Sequence, residues 1–509
     1  MQNNLDNKNI IFGIVGLGTM GRGIAQIAAT AGIKVLMYDA IDGVTDDAIN
    51  FIDKMLKRSL EKKRIDENTY KKAINKLTKV NALEDLKECN IVVEAVKEDI
   101  GIKKEVFKKL ENIVSENCIL ATNTSSLSVT DIASSCRKPY RVAGYHFFNP
   151  VPLMKVVEVV KAERTSDSVI EFLQKLAIFM GHNPVITKDT PGFIVNHVGR
   201  GYSTEAMAMF TEEIAQIDII DSILKKAAGF PMGPFELFDL TGLDVSLPAS
   251  ISIYNGFYQD PRYRPSYKFN KRLEAGLLGR KVGEGFYKYK DGKKIDNEKL
   301  EKSYSKEDIN FSIWVSKKNK EGYEKVINYL KSKNCKIDYN EVPKEESLCI
   351  ITPLGLDATT TAIDENLDPS RVVAVDTFYG FDNCKTLMGT LETKVMYKNA
   401  ALSIFSENSA EAYLINDSPG FVVQRVLSMI INIACAVAEQ KIASPSDIDK
   451  AVKLGLGYPH GPLEWGDLIG ASKINYILNN LSMLYKDQRY RPTLYLKRRA
   501  MLNKSLLEE

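Results

Sequence analysis

The stretch "IIFGIVGLGTMGRG", residues 10–23, decides the fold of the N-terminal part of the chain. An apolar run typical of a buried parallel strand leads directly into Gly16, Gly18 and Gly21, in G-x-G-x-x-G spacing. In this spacing the first glycine makes a tight turn and the second lets the backbone approach a pyrophosphate. The third lets the following helix pack closely on the strand. Apolar residues recur at helical spacing in "RGIAQIAATAG", residues 22–32, so the helix is expected there.

An acidic residue follows at the place that a bound dinucleotide requires. The apolar run "IKVLMY", residues 33–38, predicts a second strand, and it ends at Asp39, where a carboxylate can bind the adenosine ribose hydroxyls. A glycine cluster alone is weak evidence, but here the strand, the helix and the acidic residue stand in the required order. The sequence therefore predicts a Rossmann dinucleotide-binding domain. Asp39 would repel a 2′-phosphate, which favours NAD over NADP as the cofactor.

Length and composition exclude several classes of protein. A chain of 509 residues is too long for one hydrophobic core. Its formal charge of +3 gives no reason to expect a nucleic-acid partner. The sequence contains neither a secretory signal nor an apolar run of about 18 residues that could span a membrane. The 7 cysteines form no CxxC pair, which is typical of reduced thiols and indicates no metal site. We expect a cytoplasmic protein.

An internal repeat organises the rest of the chain. "DTPGFIVN" at 189–196 returns as "DSPGFVVQ" at 417–424, and "GFPMGPFELFDLTG" at 229–242 returns as "GYPHGPLEWGDLIG" at 457–470. Both pairs are separated by the same 228 residues. The sequence between the signatures has apolar residues at three- and four-residue spacing, which predicts helices. A duplicated helical domain follows from this pattern.

An α/β segment precedes each helical copy, so the predicted fold class is α/β plus all-α. The second segment is either a shortened version of the first or an unrelated small α/β unit, and the paired helical domains favour the former. It has no glycine loop, so we expect no dinucleotide there. The predicted domains are a Rossmann domain at 1–188, a helical domain at 189–288, a charged linker at 289–308, a reduced Rossmann-like domain at 309–416 and a second helical domain at 417–509.

The stretch "GYHFFNP", residues 144–150, contains one of only 4 histidines. Imidazole titrates near neutral pH, so His146 is a candidate acid/base. If residues 141–147 and 154–161 are strands joined by a tight turn, Glu158 can reach back to His146. The carboxylate would then fix the tautomer and stabilise the cation. The alternatives are a hydrogen-bonded core histidine, a structural ion pair, and a glutamate that is simply exposed on an edge strand, and the residues alone leave them open.

Two further polar residues are candidates for binding substrate. Ser125 follows the predicted strand "CILATN", at the carboxyl end where ligands sit in such sheets, although it could equally be a turn or capping hydroxyl. Asn196 lies among apolar neighbours, where it could orient a polar group or cap a domain junction. The duplication provides a control, because Asn196 becomes Gln424 and "GYHFFNP" has no counterpart with a histidine. The second half is therefore predicted to be catalytically silent.

Together these motifs resemble the 3-hydroxyacyl-CoA dehydrogenases, especially the 3-hydroxybutyryl-CoA type. The resemblance runs from residue 10 to about residue 288. A subset of the family carries a reduced Rossmann domain and a second helical domain, as inferred above. The motifs that carry the resemblance are "GLGTMGRGIAQ", "VVEAVKED", "TNTSSL", "GYHFFNPVPLMKVVEVV", "DTPGFIVN", "GFPMGPFEL" and "GRKVGEGFYKY".

The resemblance implies a role for each matching residue. His146 would be the general base and Glu158 its orienting carboxylate, while Ser125 and Asn196 would position the substrate oxygen. The implied reaction is (3S)-3-hydroxyacyl-CoA + NAD⁺ ⇌ 3-oxoacyl-CoA + NADH + H⁺. On the cofactor side and the coenzyme A side, the matching residues are Asn149 near the nicotinamide, Glu98 and Lys103 near the ribose, Lys281 near the cofactor and Lys62 at the coenzyme A phosphates.

Other functions remain open at this stage. Met55 stands where some relatives place a polar contact to coenzyme A, which puts that contact in doubt. The glycine loop also suits 3-hydroxyacid dehydrogenases acting on free acids, although the His/Glu pair argues against them. A further alternative is a CoA-binding pseudo-enzyme with a scaffolding second half. With two helical copies, we expect either a monomer with an internal pseudo-dimer or a homodimer.

Overall fold

The structure is a computed structural model that describes residues 10–295, 311–406 and 411–508. The chain divides into two compact units. The first contains the residues up to His197 together with Gln440–Leu456. The second contains Val198–Glu439 and Gly457–Glu508.

The described residues form strands and helices that are numbered here in chain order. The strands are β1 Ile11–Val15, β2 Lys34–Tyr38, β3 Leu77–Lys79, β4 Ile91–Glu94, β5 Ile119–Thr122, β6 Val142–Phe147, β7 Val156–Lys161, β8 Asn183–Lys188, β9 Tyr289–Lys290, β10 Lys293–Lys294, β11 Ile313–Val315, β12 Ile337–Asp338, β13 Leu348–Ile351, β14 Val372–Val375, β15 Lys385–Gly389 and β16 Ala412–Ile415. The helices are α1 Thr19–Thr30, α2 Val44–Glu61, α3 Glu67–Lys76, α4 Ile100–Ile113, α5 Val129–Ala133, α6 Asp167–Phe179, α7 Val195–Val198, α8 Arg200–Glu212, α9 Ile217–Ala228, α10 Pro234–Thr241, α11 Leu243–Gly256, α12 Tyr267–Glu274, α13 Lys320–Ser332, α14 Ala358–Asp364, α15 Val395–Phe405, α16 Val423–Glu439, α17 Pro445–Leu456, α18 Pro462–Ile469, α19 Ala471–Tyr485 and α20 Leu494–Leu502.

The first unit is built on a sheet with the strand order β3-β2-β1-β4-β5-β6-β7-β8. All neighbouring strands are parallel except β6 and β7, which are antiparallel. The central strands are apolar on both faces, because helices cover both sides of the sheet. This arrangement places the carboxyl ends of β1, β4 and β5 along one edge, where the glycine loop and the predicted catalytic segments lie.

The second unit contains a smaller sheet with the order β12-β11-β13-β14-β15-β16. Its only antiparallel pair among the described strands is β14–β15, which corresponds to β6–β7 of the first sheet. The predicted fold class, with a reduced second Rossmann-like sheet, is therefore confirmed. The predicted domain boundaries stay predictions. Of the predicted linker, residues 289–295 contain the β9–β10 hairpin, and residues 296–308 lie outside the described residues.

The two helical copies meet in reciprocal contacts inside the second unit. Helices α8 and α16 pack closely, since a Cβ on Gly201 would lie 2.7 Å from the Cα of Ile430. Two 3₁₀ turns of the repeated "RYRP" sequence then exchange equivalent hydrogen bonds, each 3.1 Å long. Arg262 Nη2 donates to the carbonyl of Arg491, and Arg489 Nη2 donates to the carbonyl of Arg264. Each copy thus donates to the other the same hydrogen bond that it accepts, which indicates a two-fold relation between the copies.

The repeated signatures hold the fold together in both copies. The Asp189 carboxylate accepts hydrogen bonds from the N–H groups of Val129 and Thr130 at the start of α5. Its repeat, Asp417, accepts one from the N–H of Ala358 at the start of α14. In each case the carboxylate satisfies donors that the helix itself leaves unpaired. This supports the interpretation that features shared by the copies concern folding.

A membrane-crossing segment is not found in the part of the chain that the structure describes, because no helix there is both long and apolar enough.

Candidate active site

The glycine loop joins β1 to α1 and has the shape of a phosphate cradle. Gly16 has a φ of +91° and a Cβ there would lie 2.7 Å from the backbone of Ala95, so only glycine fits. A Cβ on Gly21 would lie 1.8 Å from the Gly16 carbonyl oxygen. A Cβ on Gly18 would meet nothing within 4 Å, so this space is open to a ligand. Among the described residues, no side chain caps the N-terminus of α1, so its N–H groups can face an anion.

Asp39 is positioned at the end of β2 beside this loop. One carboxylate oxygen accepts a hydrogen bond of 2.8 Å from the N–H of Leu17, and the other accepts one of 3.0 Å from the N–H of Ile41. The Gly16 N–H donates to the carbonyl of Tyr38, which ties the loop to the same strand. The loop and its acidic residue thus form one preorganised unit. These residues fit the pyrophosphate and ribose of a dinucleotide.

His146 and Glu158 face each other directly across the antiparallel pair β6–β7. The distance from His146 Nδ1 to Glu158 Oε2 is 2.6 Å, and both side chains are buried. The other oxygen of Glu158 accepts hydrogen bonds of 2.9 Å from the N–H groups of Ile194 and Val195. A fully buried carboxylate is therefore satisfied on both oxygens. With Nδ1 engaged, Nε2 is the ring nitrogen that remains for a substrate proton.

Ser125 and Asn196 lie in the same neighbourhood. The Asn196 side-chain amide donates to the Ser125 carbonyl at 3.5 Å, and Asn196 directly follows Val195 in the chain. Glu98 organises the turn that carries Ser125, because its carboxylate accepts from Thr124 Oγ1 at 2.6 Å and from the Ser125 N–H at 3.0 Å. The structure thus links the four predicted catalytic residues through the Glu158 contacts and this turn.

Charge balance in this turn depends on a buried lysine. Lys103 is 1% exposed, and its ammonium lies 2.7 Å from Glu94 and 3.3 Å from Glu98. Burial alone would raise the pKa of Glu98, but Lys103 and the donors of Thr124, Ser125 and Ser126 hold this pKa below its usual value. Glu98 is therefore an anion at neutral pH. Lys103, predicted to lie near the ribose, is held within this ion pair and supports the turn.

The remaining predicted residues are distributed more widely. Asn149 is exposed in the turn that follows β6, and Lys62 is exposed at the end of α2. Lys281 belongs to the second unit, where its ammonium pairs with Asp244. Its place near the cofactor stays a prediction.

A cavity of about 360 Å³ lies between α1, α2 and the turn after β6. Lys62 and Asn149 both line this cavity, and Met55 is one of its apolar lining residues. The other cations that line it are Arg22, Arg58 and Arg64, and no carboxylate is found among its described lining residues. Four cations beside apolar surface suit a ligand that is both polyanionic and partly apolar.

Sequence reasoning missed three residues of the site. Glu94 ends β4 and accepts from Lys103 and from Thr122 Oγ1, yet nothing in the sequence distinguishes it from an ordinary strand end. Asn123 accepts the Phe147 N–H at 2.9 Å and so fixes the strand that carries the histidine. Arg22 lies 3.8 Å above the ring of Phe51 in the cavity. The available signal in the sequence was the position of this arginine inside the glycine motif "GLGTMGRG", residues 16–23.

The corresponding place in the second sheet has no histidine. Asp376 follows β14 there, and Gln424, the repeat of Asn196, donates to it at 2.9 Å. The Gln424 side chain also accepts the Gly355 N–H. The side chains of Asp376 and Gln424 thus hydrogen-bond to each other. That the second half is catalytically silent stays a prediction.

The glycine loop, the acidic residue beside it and the buried His/Glu pair are the features of a dinucleotide-dependent dehydrogenase. Models of the NAD-binding and C-terminal domains of 3-hydroxyacyl-CoA dehydrogenase match residues 12–190 and residues 192–289 with 420–505, respectively. The chain therefore belongs to the 3-hydroxyacyl-CoA dehydrogenase family and is an NAD-dependent oxidoreductase.

Individual relatives agree with this assignment. The chain is 34% identical to the 3-hydroxyadipyl-CoA dehydrogenase of Escherichia coli, over 96% of this chain and 97% of the relative. It is 40% identical to the mitochondrial hydroxyacyl-coenzyme A dehydrogenase of Sus scrofa, over 54% of this chain and 90% of the relative. The crystal structure of an Escherichia coli 3-hydroxybutyryl-CoA dehydrogenase aligns with a TM-score of 0.83 at 33% identity, covering 97% of this chain and 99% of that one.

Proposed function

We propose that the chain catalyses the reversible NAD-dependent oxidation of short-chain (3S)-3-hydroxyacyl-CoA to 3-oxoacyl-CoA, with His146 as the general base. The observation that carries this proposal is the buried pair His146–Glu158, at 2.6 Å. The names of the Escherichia coli relatives refer to 3-hydroxyadipyl-CoA and 3-hydroxybutyryl-CoA, which supports a short acyl chain here.

His146 takes the proton of the 3-hydroxyl group at Nε2 as the C3–H bond breaks. Glu158 accepts from Nδ1–H and stabilises the imidazolium that forms, and its own position is held by the N–H groups of Ile194 and Val195. A general base of this kind contributes about 10²–10⁴ to the rate. Bound NAD supplies the acceptor for the hydride that leaves C3.

Ser125 and Asn196 orient the oxygen at C3 so that its proton faces His146. Their polar groups lie on two different segments that meet through the 3.5 Å hydrogen bond, so the substrate oxygen would be fixed from two directions. Asn149 and Glu98 shape the nicotinamide and ribose side of the site, with Lys103 holding Glu98 in place. For Lys281, a place near the cofactor is supported only by the resemblance of "GRKVGEGFYKY" to the family.

Coenzyme A is the ligand that best fits the cavity beside α2. Its phosphates would meet Lys62 and the three arginines, and its pantetheine and adenine groups would contact the apolar lining residues around Met55. The arginines compensate for the polar contact that Met55 lacks, since guanidinium groups bind phosphate oxygens in pairs. The cavity therefore favours a CoA ester over a free acid.

We further propose a monomer with an internal pseudo-dimer, located in the cytoplasm. The reciprocal hydrogen bonds of Arg262 and Arg489 support the pseudo-dimer, because they satisfy within one chain the contacts that two subunits would otherwise exchange. The 7 free cysteines are consistent with a reducing compartment. A homodimer in solution would contradict the first of these proposals.

The test of the reaction follows absorbance at 340 nm when the protein meets acetoacetyl-CoA and NADH. The proposal predicts rapid loss of NADH with the CoA ester, and slow loss or none with free acetoacetate. Replacement of NADH by NADPH should lower the rate strongly, because Asp39 repels a 2′-phosphate. Turnover of the free acid would favour a 3-hydroxyacid dehydrogenase, and the absence of turnover would favour a CoA-binding pseudo-enzyme.

A further inference from the structure

A segment of the second copy belongs to the catalytic unit of the first. Residues Gln440–Leu456, including α17, cluster with the first sheet. Strand β8 forms the edge of that sheet, and its outer backbone groups are paired by this segment. The Lys188 N–H donates to the carbonyl of Ile442 at 2.9 Å, and the Ile186 N–H donates to the Asp447 carboxylate at 3.2 Å. The second copy thus covers a sheet edge that would otherwise be open.

Near its end, α17 reaches the residue that holds the catalytic carboxylate. A Cβ on Gly455 would lie 2.9 and 3.1 Å from the two methyl groups of Val195, and 3.6 Å from a methyl group of Val156. These distances leave no room for even one added carbon. The repeat has Ala227 at the corresponding position of α9, so the helix itself does not require glycine there.

Val195 transmits this contact to His146 in two short steps. It is 1% exposed, and its branched side chain has little rotational freedom, so pressure on its methyl groups moves the backbone. Its N–H donates to Glu158 Oε1 at 2.9 Å, and Glu158 Oε2 lies 2.6 Å from His146 Nδ1. A displacement of Val195 therefore alters the carboxylate that orients the histidine.

We propose that Gly455 is a positioning residue, through which the second half of the chain sets the geometry of the His146–Glu158 pair. The duplicated half then has a role in catalysis even though it contributes no group to the reaction. This inference rests on the proposed function, because it assumes that the pair performs the proton transfer.

Gly455→Ala is the first test. Helix propensity alone would predict a slightly more stable protein, since alanine is preferred to glycine inside a helix. We instead expect kcat with acetoacetyl-CoA and NADH to fall about tenfold, because small displacements of catalytic groups are costly. KM for acetoacetyl-CoA and the Kd for NADH, measured by fluorescence titration, should change less than about twofold, since neither Gly455 nor Val195 is expected to touch these ligands.

Two matched variants separate positioning from general instability. Gly466→Ala makes the same substitution in α18, where a Cβ would meet Leu506 at 2.4 Å and Ile431 at 3.0 Å. It should lower the melting temperature while leaving kcat unchanged. Val195→Ala removes the methyl groups that Gly455 faces, so Gly455→Ala added to Val195→Ala should cause no further loss of kcat.

The outcomes are distinct. Wild-type kcat in Gly455→Ala, or an equal loss of kcat with and without Val195→Ala, would overturn the inference. If Gly455→Ala does not fold, Val195→Ile provides the same test from the other side, and an unchanged kcat there would overturn it too. A wild-type protein that does not reduce acetoacetyl-CoA would instead refute the proposed function.

Discussion

Glu158→Gln changes one atom of the site and makes the role of the carboxylate measurable. In the native protein Glu158 Oε1 accepts two backbone N–H groups, from Ile194 and Val195, each at 2.9 Å. A glutamine of the same size must keep its carbonyl oxygen on these donors. Its NH₂ group then faces His146 Nδ1, which has to become an acceptor. The ring proton moves to Nε2, where it blocks the uptake of the substrate proton.

The size of the effect follows from the cost of the alternative orientation. Turning the glutamine NH₂ toward the two backbone donors would leave both unsatisfied, at about 1–3 kcal/mol each. The blocked tautomer is therefore favoured by about 2–6 kcal/mol, or roughly 30-fold to more than 10⁴-fold. We expect kcat to fall by about 10²–10⁴, the range lost when a general base is removed.

The assay is the initial rate of NAD⁺ reduction with (3S)-3-hydroxybutyryl-CoA, the direction in which His146 takes up the proton, together with a fluorescence titration of NADH. NADH affinity and the melting temperature should stay near their wild-type values, because the volume and the two backbone hydrogen bonds are retained. Glu171→Gln, on the exposed face of α6, is the matched control and should keep full activity. If Glu158→Gln retained more than about a tenth of wild-type kcat, the tautomer argument would be refuted.

Three further predictions concern the glycine loop, the cavity beside α2 and the second sheet. Gly18→Ala should fold normally but bind NADH at least about tenfold more weakly. Gly21→Ala should lower the melting temperature, because the Cβ of an alanine at position 21 would lie 1.8 Å from the carbonyl oxygen of Gly16. Lys62→Ala should raise KM for acetoacetyl-CoA about fivefold in steady-state assays with kcat unchanged, and Lys57→Ala, whose ammonium is paired within the same helix, should leave KM unchanged. Burial raises the pKa of Asp376 to about 6, above the pKa of an aspartate in the unfolded chain. The protonated carboxyl group therefore stabilises the folded protein at low pH, and this stabilisation is lost as the pH rises toward 6. Asp376→Asn should therefore raise the melting temperature more at pH 8 than at pH 4.5, and an equal change at both pH values would contradict this.

Local patterns in the sequence were sufficient to predict much of the site. The glycine spacing and the apolar runs around it predict strand, loop and helix, because each depends on residues close in sequence. The opposition of His146 and Glu158 was also predictable, since a short turn between two strands leaves few possible registers. The predicted roles of these residues in the reaction stay predictions.

Side-chain contacts between different strands and helices could not be predicted in the same way, whether the residues are near or far apart in the sequence. Lys103 and Glu94 look like a helix lysine and a strand end, and only the fold shows that they form a buried ion pair. The packing of Gln440–Leu456 on the first sheet is a similar case. The repeat predicts a helix there, but repetition alone does not indicate which sheet that helix covers. The periodicity of apolar residues can be identified in a single sequence, whereas the packing of one element on another cannot.

If the second copy is catalytically silent, as the sequence predicts, the duplication explains how the chemistry could be lost. Asp189 and Asp417 both cap helices, so these residues are needed wherever the fold is repeated. His146 and Asn196 are replaced in the second copy by residues that bond to each other, Asp376 and Gln424. A copy that contributes no group to the reaction could make this exchange without harm to the fold, because the two replacing side chains hydrogen-bond to each other.

We propose that His146 removes the substrate proton in the NAD-dependent oxidation of a CoA ester and returns it in the reverse reaction. The most direct test of this proposal is His146→Gln, assayed at 340 nm with acetoacetyl-CoA and NADH beside the wild-type protein, with NADH binding measured in both. We expect rapid turnover by the wild type, a loss of about 10²–10⁴ in kcat for the variant, and equal NADH affinity. Near wild-type turnover by His146→Gln would rule out His146 as the general base, because another group would then have to carry the proton.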